Sequence, residues 1–367
     1  MEIPFVDLKA QYQSLKQDID QAINKVIEET AFIGGTYVKS FEQQFAKAYG
    51  AKHCISCANG TDAIYVLLKT LGIGAGDEVI TTACSWISTS ETIGQTGATP
   101  VFVDIDPDYY TIDASKIEEK ITSRTRAVIP VHLYGQVADM EAIAAICEKH
   151  NLFLVEDCAQ SHFSEYKQKR AGLWGIAGTF SFYPGKNLGA YGDAGAIITN
   201  DDNLATKCRM YANHGALVKH QHEIEGVNSR LDGLQAAILS VKLPHIHEWT
   251  QARINNAAYY TELLSSVECV KVPAIRPDSV HSFHLYVIRT ENREELAAYL
   301  KSKGIDTAIH YPTPLPFLNA YRHLGHTRSD FPVAAAYQSQ ILSLPMYPEL
   351  SRDAIEYIAS QIKIFFS

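Results

Sequence analysis

The chain has 367 residues, 46% of them hydrophobic and 20% charged, with a net charge of -9 and seven cysteines. That length allows a large core and two domains. The acidic balance suggests no general affinity for nucleic acid or an anionic membrane, no apolar run is long enough to span a bilayer, and the odd, sparse cysteine count argues against a disulfide framework. The N-terminal MEIPFVDLKAQYQSLK has no basic-plus-apolar signal pattern, so a cytoplasmic location is expected.

In chain order, a helical pattern is expected over Leu15–Glu29 and again over Val38–Tyr49, where Phe41, Phe45 and Tyr49 recur at four-residue steps as core contacts. His53–Cys57 reads as a strand, followed by a small-residue turn and a helix to about Leu71. That helix start would leave the N–H groups of Gly60 and Thr61 free, a natural phosphate site, or else be an ordinary Asn-capped turn. Cys54 and Cys57 have C-x-x-C spacing without a second ligand pair. They read as half-buried strand cysteines, and no metal site is expected.

Further strands are expected at Glu78–Thr82, Pro100–Ile105, Ala127–His132, Leu152–Glu156, Thr179–Phe182 and Ala196–Thr199. Helices are expected within Thr111–Ile121, over Asp139–Lys149 and over Asn203–Tyr211. Trp86 opens a strand-to-helix loop, where it either stacks on a flat ring or plugs the core. The alternation predicts an α/β fold with a mostly parallel seven-stranded sheet and helices on both faces. A polar stretch from His214 to Leu231 carries Lys219, His220 and His222 and reads as a solvated loop. Pro244 marks a border between a large domain, 1–244, and a smaller α+β domain, 245–367. The second domain is expected to hold a helix at Ile246–Leu264, strands at Ser282–Arg289 and Asp306–His310, and helices at Arg293–Lys303 and Asp353–Phe366.

Two strand ends carry the chemistry. The stretch GTFSFYPGKNLGAYGDAG, Gly178–Gly195, places Lys186 in a glycine-rich loop after a β-run. A lysine there can act as a nucleophile toward a carbonyl if burial leaves its amine free. LFLVE, Leu152–Glu156, ends in Asp157, at the strand end where open α/β sheets bind ligands; a helix N-cap is the plain alternative. Such a lysine and aspartate are the two groups that pyridoxal phosphate (PLP) needs. The lysine holds the cofactor covalently, and the carboxylate keeps its pyridine nitrogen protonated.

An ordered set of motifs extends this reading: NGTDA at Asn59–Ala63, EDCAQ at Glu156–Gln160, SFYPGKNLGAYGDAGA at Ser181–Ala196, NSRLDGLQAA at Asn228–Ala237, and HYP at His310–Pro312. With these motifs the chain resembles the PLP-dependent nucleotide-sugar aminotransferases of the DegT/DnrJ/EryC1/StrS family, which have the aspartate aminotransferase fold (fold type I). The resemblance runs from Phe5 to Met346. It implies that Lys186 binds PLP and that Asp157 pairs with the ring nitrogen. Gln160 would meet the ring hydroxyl, and Gly60, Thr61 and Ser181 would hold the phosphate. Trp86 would stack on the ring. Asn228 would reach the cofactor phosphate of the neighbouring subunit, making a homodimer with active sites at the interface. Members that dehydrate carry histidine in place of this lysine; its presence here implies transamination from L-glutamate by two-stage, ping-pong chemistry.

Tyr183, Lys219, His310 and Tyr311 match positions that contact the sugar nucleotide in members acting at C3. The expected substrate is a dTDP-3-keto-6-deoxyhexose, with a UDP-linked 3-keto or 4-keto sugar as the alternative. Two rivals stand beside the transaminase. A non-catalytic regulator has no need of Lys186, Asp157 and Gln160 together. A PLP lyase acting on amino acids needs an arginine for the substrate carboxylate, for which Arg230 is the candidate.

Overall fold

The computed structural model describes residues 1–367. Its central sheet has seven strands: β1 His53–Cys57, β2 Glu78–Thr82, β3 Thr99–Val103, β4 Thr125–Ile129, β5 Phe153–Asp157, β6 Ala177–Ser181 and β7 Gly195–Thr199. They lie in the order β1-β7-β6-β5-β4-β2-β3. β7 runs antiparallel to both its neighbours, and the other pairings are parallel. Strands of this kind are apolar on both sides, because helices cover both faces of the sheet.

On one face the helix Gly35–Tyr49 buries Phe41, Phe45 and Tyr49. Phe45 meets Phe180 edge-on at 5.3 Å, and Phe41 meets Phe182 at 5.4 Å. The four-residue spacing therefore braces the end of β6, from which the Lys186 loop leaves. The opposite face is covered by the helices Gly60–Thr70 and Asp202–Ala212, through Ala63, Leu67, Leu204 and Cys208. Cys54 and Cys57 are fully buried rather than half-buried. Three residues apart on a strand, they point to opposite faces and belong to different cores.

Several expected elements differ. Thr111–Ile121 holds two short 3₁₀ turns, Ala114–Lys116 and Glu118–Lys120, rather than a helix. The Asp113 carboxylate accepts both the N–H and the hydroxyl of Ser115, a local turn that competes with helical bonding. The strand expected over Ser282–Arg289 begins only at Tyr286, because Ser282 and Leu285 donate their N–H groups to the carbonyls of Gly135 and Tyr134 in the first half of the chain. Its antiparallel partner is Ile341–Leu344, and Asp306–His310 contributes a single bridge, Ala308 to Ser343.

Neighbouring residues at the end of β5 point to opposite faces and do different work. Glu156 is fully buried. Its carboxylate accepts N–H bonds from Gly172, Trp174 and Gly175 at 2.7, 2.6 and 2.9 Å, and meets His132 Nε2 at 3.0 Å. His132 Nδ1 accepts from Ala138 N, so Nε2 carries the ring proton and donates to Glu156. Cys158 lies within 4.8 Å of these two ligand-type side chains, but the acceptors of Glu156 are already taken by backbone. The carboxylate ties the turn that holds Gly172, Trp174 and Gly175 to the loop that carries His132, behind the strand that presents Asp157. Glu156→Gln keeps the shape but turns an amide N–H₂ toward N–H donors; it should cost about 3 kcal/mol, read as a fall in the urea midpoint.

Candidate active site

The parallel pairing of β5 with β6 sets Asp157 beside Thr179, so both strand ends open on one cavity of 580 Å³. Asp157, Gln160, Gly60, Thr61, Ser181, Lys186, Trp86, Tyr183, His310 and Tyr311 all line it. Asn228 and Lys219 are exposed and stand outside it.

Asp157 is 4% exposed. One oxygen accepts from the Thr89 hydroxyl at 2.8 Å and the other from Ala159 N at 3.1 Å. Thr89 belongs to the helix Ser88–Thr96 that follows β2, and its role was not apparent from sequence; the run SWISTSET carries too many hydroxyls to single one out. Gln160 Oε1 accepts from Tyr134 N at 2.7 Å, and its amide nitrogen donates to Tyr311 Oη at 3.0 Å. Tyr134 itself reaches the His310 carbonyl through its hydroxyl. These bonds join the first half of the chain to the HYP segment.

The helix Gly60–Thr70 is capped by Asn59, whose side chain accepts from Asp62 N at 2.8 Å. The cap and the phosphate readings are compatible, since the cap occupies Asp62 N and leaves the first N–H groups of the helix open. A methyl group at Gly60 would lie 2.7 Å from Ser181 Cβ, so glycine is what lets the helix N-terminus close against the end of β6. Trp86 is 57% exposed. It stands on the rim with its ring 5.6 Å from Tyr311, and so does not plug the core.

Lys186 sits in the loop between β6 and β7. Burial lowers its amine from the ordinary lysine range to about 8, against the opposing pull of the Asp157 carboxylate. His310 is lowered to about 4 by burial and by the charge of Lys186. Burial also pushes Tyr311 upward, with Asp157 adding to the shift. The cavity thus holds a desolvated amine, an ionisable carboxylate, a neutral imidazole and a protonated phenol.

The chain belongs to the DegT/DnrJ/EryC1/StrS aminotransferase family. The match covers residues 13–363. A pleiotropic regulatory protein of Geobacillus stearothermophilus is 47% identical, over 100% of this chain and 99% of its own length. The dTDP-3-amino-3,6-dideoxy-alpha-D-galactopyranose transaminase of Aneurinibacillus thermoaerophilus is 45% identical over 98% of both chains. The UDP-2-acetamido-2-deoxy-3-oxo-D-glucuronate aminotransferase of Pseudomonas aeruginosa is 44% identical over 98% of this chain and 99% of its own. The crystal structure of S. venezuelae DesV, solved with a ketimine intermediate, superposes with a TM-score of 0.98 at 40% identity, covering 100% of this chain and 99% of that one.

This aminotransferase is therefore PLP-dependent, of fold type I, and related to enzymes that act on sugars. Its cavity fits that cofactor. The open helix N-terminus at Gly60, closed on by Ser181, is a cradle for a phosphate. Asp157 supplies a held carboxylate and Lys186 a desolvated amine. Acylation of Lys186 in the cofactor-free protein should be half-maximal near pH 8, below the exposed lysines at about 10.4. Peptide mapping across a pH series reads this; a midpoint equal to that of the exposed lysines would place the amine in water.

Proposed function

We propose that this enzyme moves an amino group from L-glutamate to C3 of a nucleotide-linked 3-keto sugar, a dTDP-3-keto-6-deoxyhexose, giving a dTDP-3-amino-3,6-dideoxyhexose. The observation that carries the reading is the desolvated amine of Lys186 sharing one cavity with Asp157 and with Tyr183, His310 and Tyr311. Bound PLP supplies the electron sink. Gly60, Thr61 and Ser181 bind its phosphate, Trp86 covers one face of the ring, and Gln160 meets the ring hydroxyl. Asp157 holds the proton on the ring nitrogen. Lys186 Nζ would hold the cofactor, and its free amine would take the proton from the donor Cα as general base and, in the second half-reaction, give a proton to C3 of the sugar as general acid. Tyr183, His310 and Tyr311 orient the sugar.

The UDP-linked alternative is supported by the near-equal identity of the Pseudomonas and Aneurinibacillus enzymes. A regulatory role, suggested by the name of the Geobacillus relative, gives no use for an amine buried at this cost. The test is the visible colour of the purified protein. L-Glutamate should bleach it, and a dTDP-linked 3-keto-6-deoxyhexose should restore it faster than a UDP-linked 3-keto sugar. Lys186→Ala should lose turnover while keeping its fold by circular dichroism. Colour restored only by UDP sugars would move the substrate to the alternative; no bleaching by any amino donor would remove the transaminase.

We further propose a homodimer with shared active sites. The loop holding Lys219 exposes Leu217, Val218 and Ile224, and Phe32 and Ile33 are also exposed, apolar side chains that a second copy would cover. In that arrangement Asn228 and Lys219 serve the neighbouring subunit, Lys219 as a point charge for the nucleoside diphosphate. The border between the large and small domains is put at residue 244, just ahead of the helix Ile246–Leu264, which runs from one core into the other. Its Ile246 and Trp249 pack in the first core, and its Ala257, Tyr260 and Leu264 in the second.

Lys219→Ala should slow the keto-sugar half-reaction about ten- to a hundredfold in kcat/KM and spare the glutamate half-reaction, whose substrate has no diphosphate. Mixing Lys219→Ala with Lys186→Ala subunits should restore activity if Lys219 acts across the interface, since one site then carries neither defect. An inactive mixture with heterodimers present would return Lys219 to its own subunit's site or remove it from the site altogether.

A further inference from the structure

Asn187 follows Lys186 directly and is 2% exposed. Its amide nitrogen donates to the Ser282 carbonyl at 3.0 Å, and its oxygen lies 3.2 Å from His284 Nδ1. The carbonyl of Ser282 can only accept, so the orientation of the amide is settled and its oxygen faces the imidazole. An amide oxygen likewise only accepts. Nδ1 therefore carries the ring proton, and Nε2 carries the lone pair. His284 lines the same cavity as Lys186. Its Nε2 has no protein hydrogen bond and is not among the sealed-off polar atoms, whereas both ring nitrogens of buried His162 are sealed and unpartnered.

We propose that Asn187 and His284 are positioning residues for Lys186: Asn187 fixes His284 as the neutral Nδ1–H tautomer, so that Nε2 offers the lysine amine a hydrogen-bond acceptor rather than a second positive charge. The charged and titratable groups facing the ring are Lys186, Arg253, His310 and His162. Burial acts first and these neighbours act with it, all against the imidazolium, and hold His284 well below the ordinary histidine range. The ring thus stays an acceptor across the pH range in which Lys186 titrates. When the amine is released from the cofactor, Nε2 is a fixed point against which an ammonium Nζ–H can rest, on a segment tied by Asn187 to the same loop. Asp157 acts on the ammonium through its charge; Lys186 Nζ makes no hydrogen bond in the structure, and a turn of its side chain toward Nε2 would add a directed one.

The proposal rests on Lys186 being the working amine, but its test does not require sugar turnover. Nitrogen-15 NMR of histidine-labelled, full-length protein should show His284 with Nδ1 protonated and Nε2 bare from pH 6 to 8, and Asn187→Leu should mix the tautomers. In cofactor-free protein, His284→Leu should lower the acylation midpoint of Lys186 by about one pH unit, a tenfold change in the amine's proton affinity. His284→Gln, which carries an amide oxygen near the place of Nε2, should recover most of it. A protonated Nε2, or a Lys186 midpoint that is the same in the wild type and in folded His284→Leu, would overturn the proposal. Where His284→Leu does not fold, the wild-type tautomer and the comparison of His284→Gln with His284→Asn, which keeps a donor near Nδ1 but no acceptor near Nε2, decide it. Colour changes with glutamate and keto-sugar are read separately, so the transaminase reading can stand while this one fails, and the reverse.

Discussion

A part-buried amine that shares a cavity with a carboxylate is the constraint on which this structure turns. Burial favours the neutral amine of Lys186, and Asp157 favours its ammonium; neither group could be left in this setting without the other elements that hold it. The sheet brings them together through one departure from parallel order. β5 and β6 run side by side, which sets their carboxyl ends on the same edge. β7 then returns antiparallel, so the Lys186 segment is a closed connection rather than a long crossover. It is cinched by Ala190 N to the Phe182 carbonyl, by Phe182 N to the Ala194 carbonyl, both 2.7 Å, and by Lys186 N to the Tyr183 carbonyl at 2.8 Å. A side chain at Gly189 would lie 2.3 Å from the Pro184 carbonyl, so the glycines permit the tight path that aims the lysine inward.

What could be read from the residues was whatever depends on local pattern. The bounds of β1 and β2 follow from short apolar runs between turn residues, and the Phe41, Phe45 and Tyr49 spacing names a buried helix face. Lys186 and Asp157 stand at strand ends, where chemistry is expected whatever the fold's details. Thr89 and His284 could not be read in this way. The hydroxyl of Thr89 reaches Asp157 across a sequence separation of 68, and His284 is brought to the cavity that Lys186 lines by a segment that abandons its strand pattern to bond the carbonyls of Tyr134 and Gly135. Such contacts are products of tertiary packing. Nothing in the spacing of their residue types separates them from ordinary surface threonines and histidines.

The buried cations show how the lysine loop is held without neutralising the site. Lys242 donates to the Gly189 carbonyl at 2.7 Å, and its amine is lowered to about 8 by burial, partly offset by Glu349. Arg253 donates to the carbonyls of Phe283 and Met346 at 3.2 and 2.8 Å, bracing the segment that carries His284. Both cations spend their hydrogen bonds on backbone oxygen. Glu349 acts on both through its charge without accepting a hydrogen bond from either. Carbonyl oxygens fix the loop's position while leaving the field at Lys186 to be set by burial and by Asp157. The same choice recurs at His284, where an amide oxygen rather than a carboxylate receives Nδ1–H. Around the working amine, neutral acceptors position the loop and the imidazole, and of the two carboxylates that line the cavity, Asp157 and Asp193, it is Asp157 whose charge acts on Lys186.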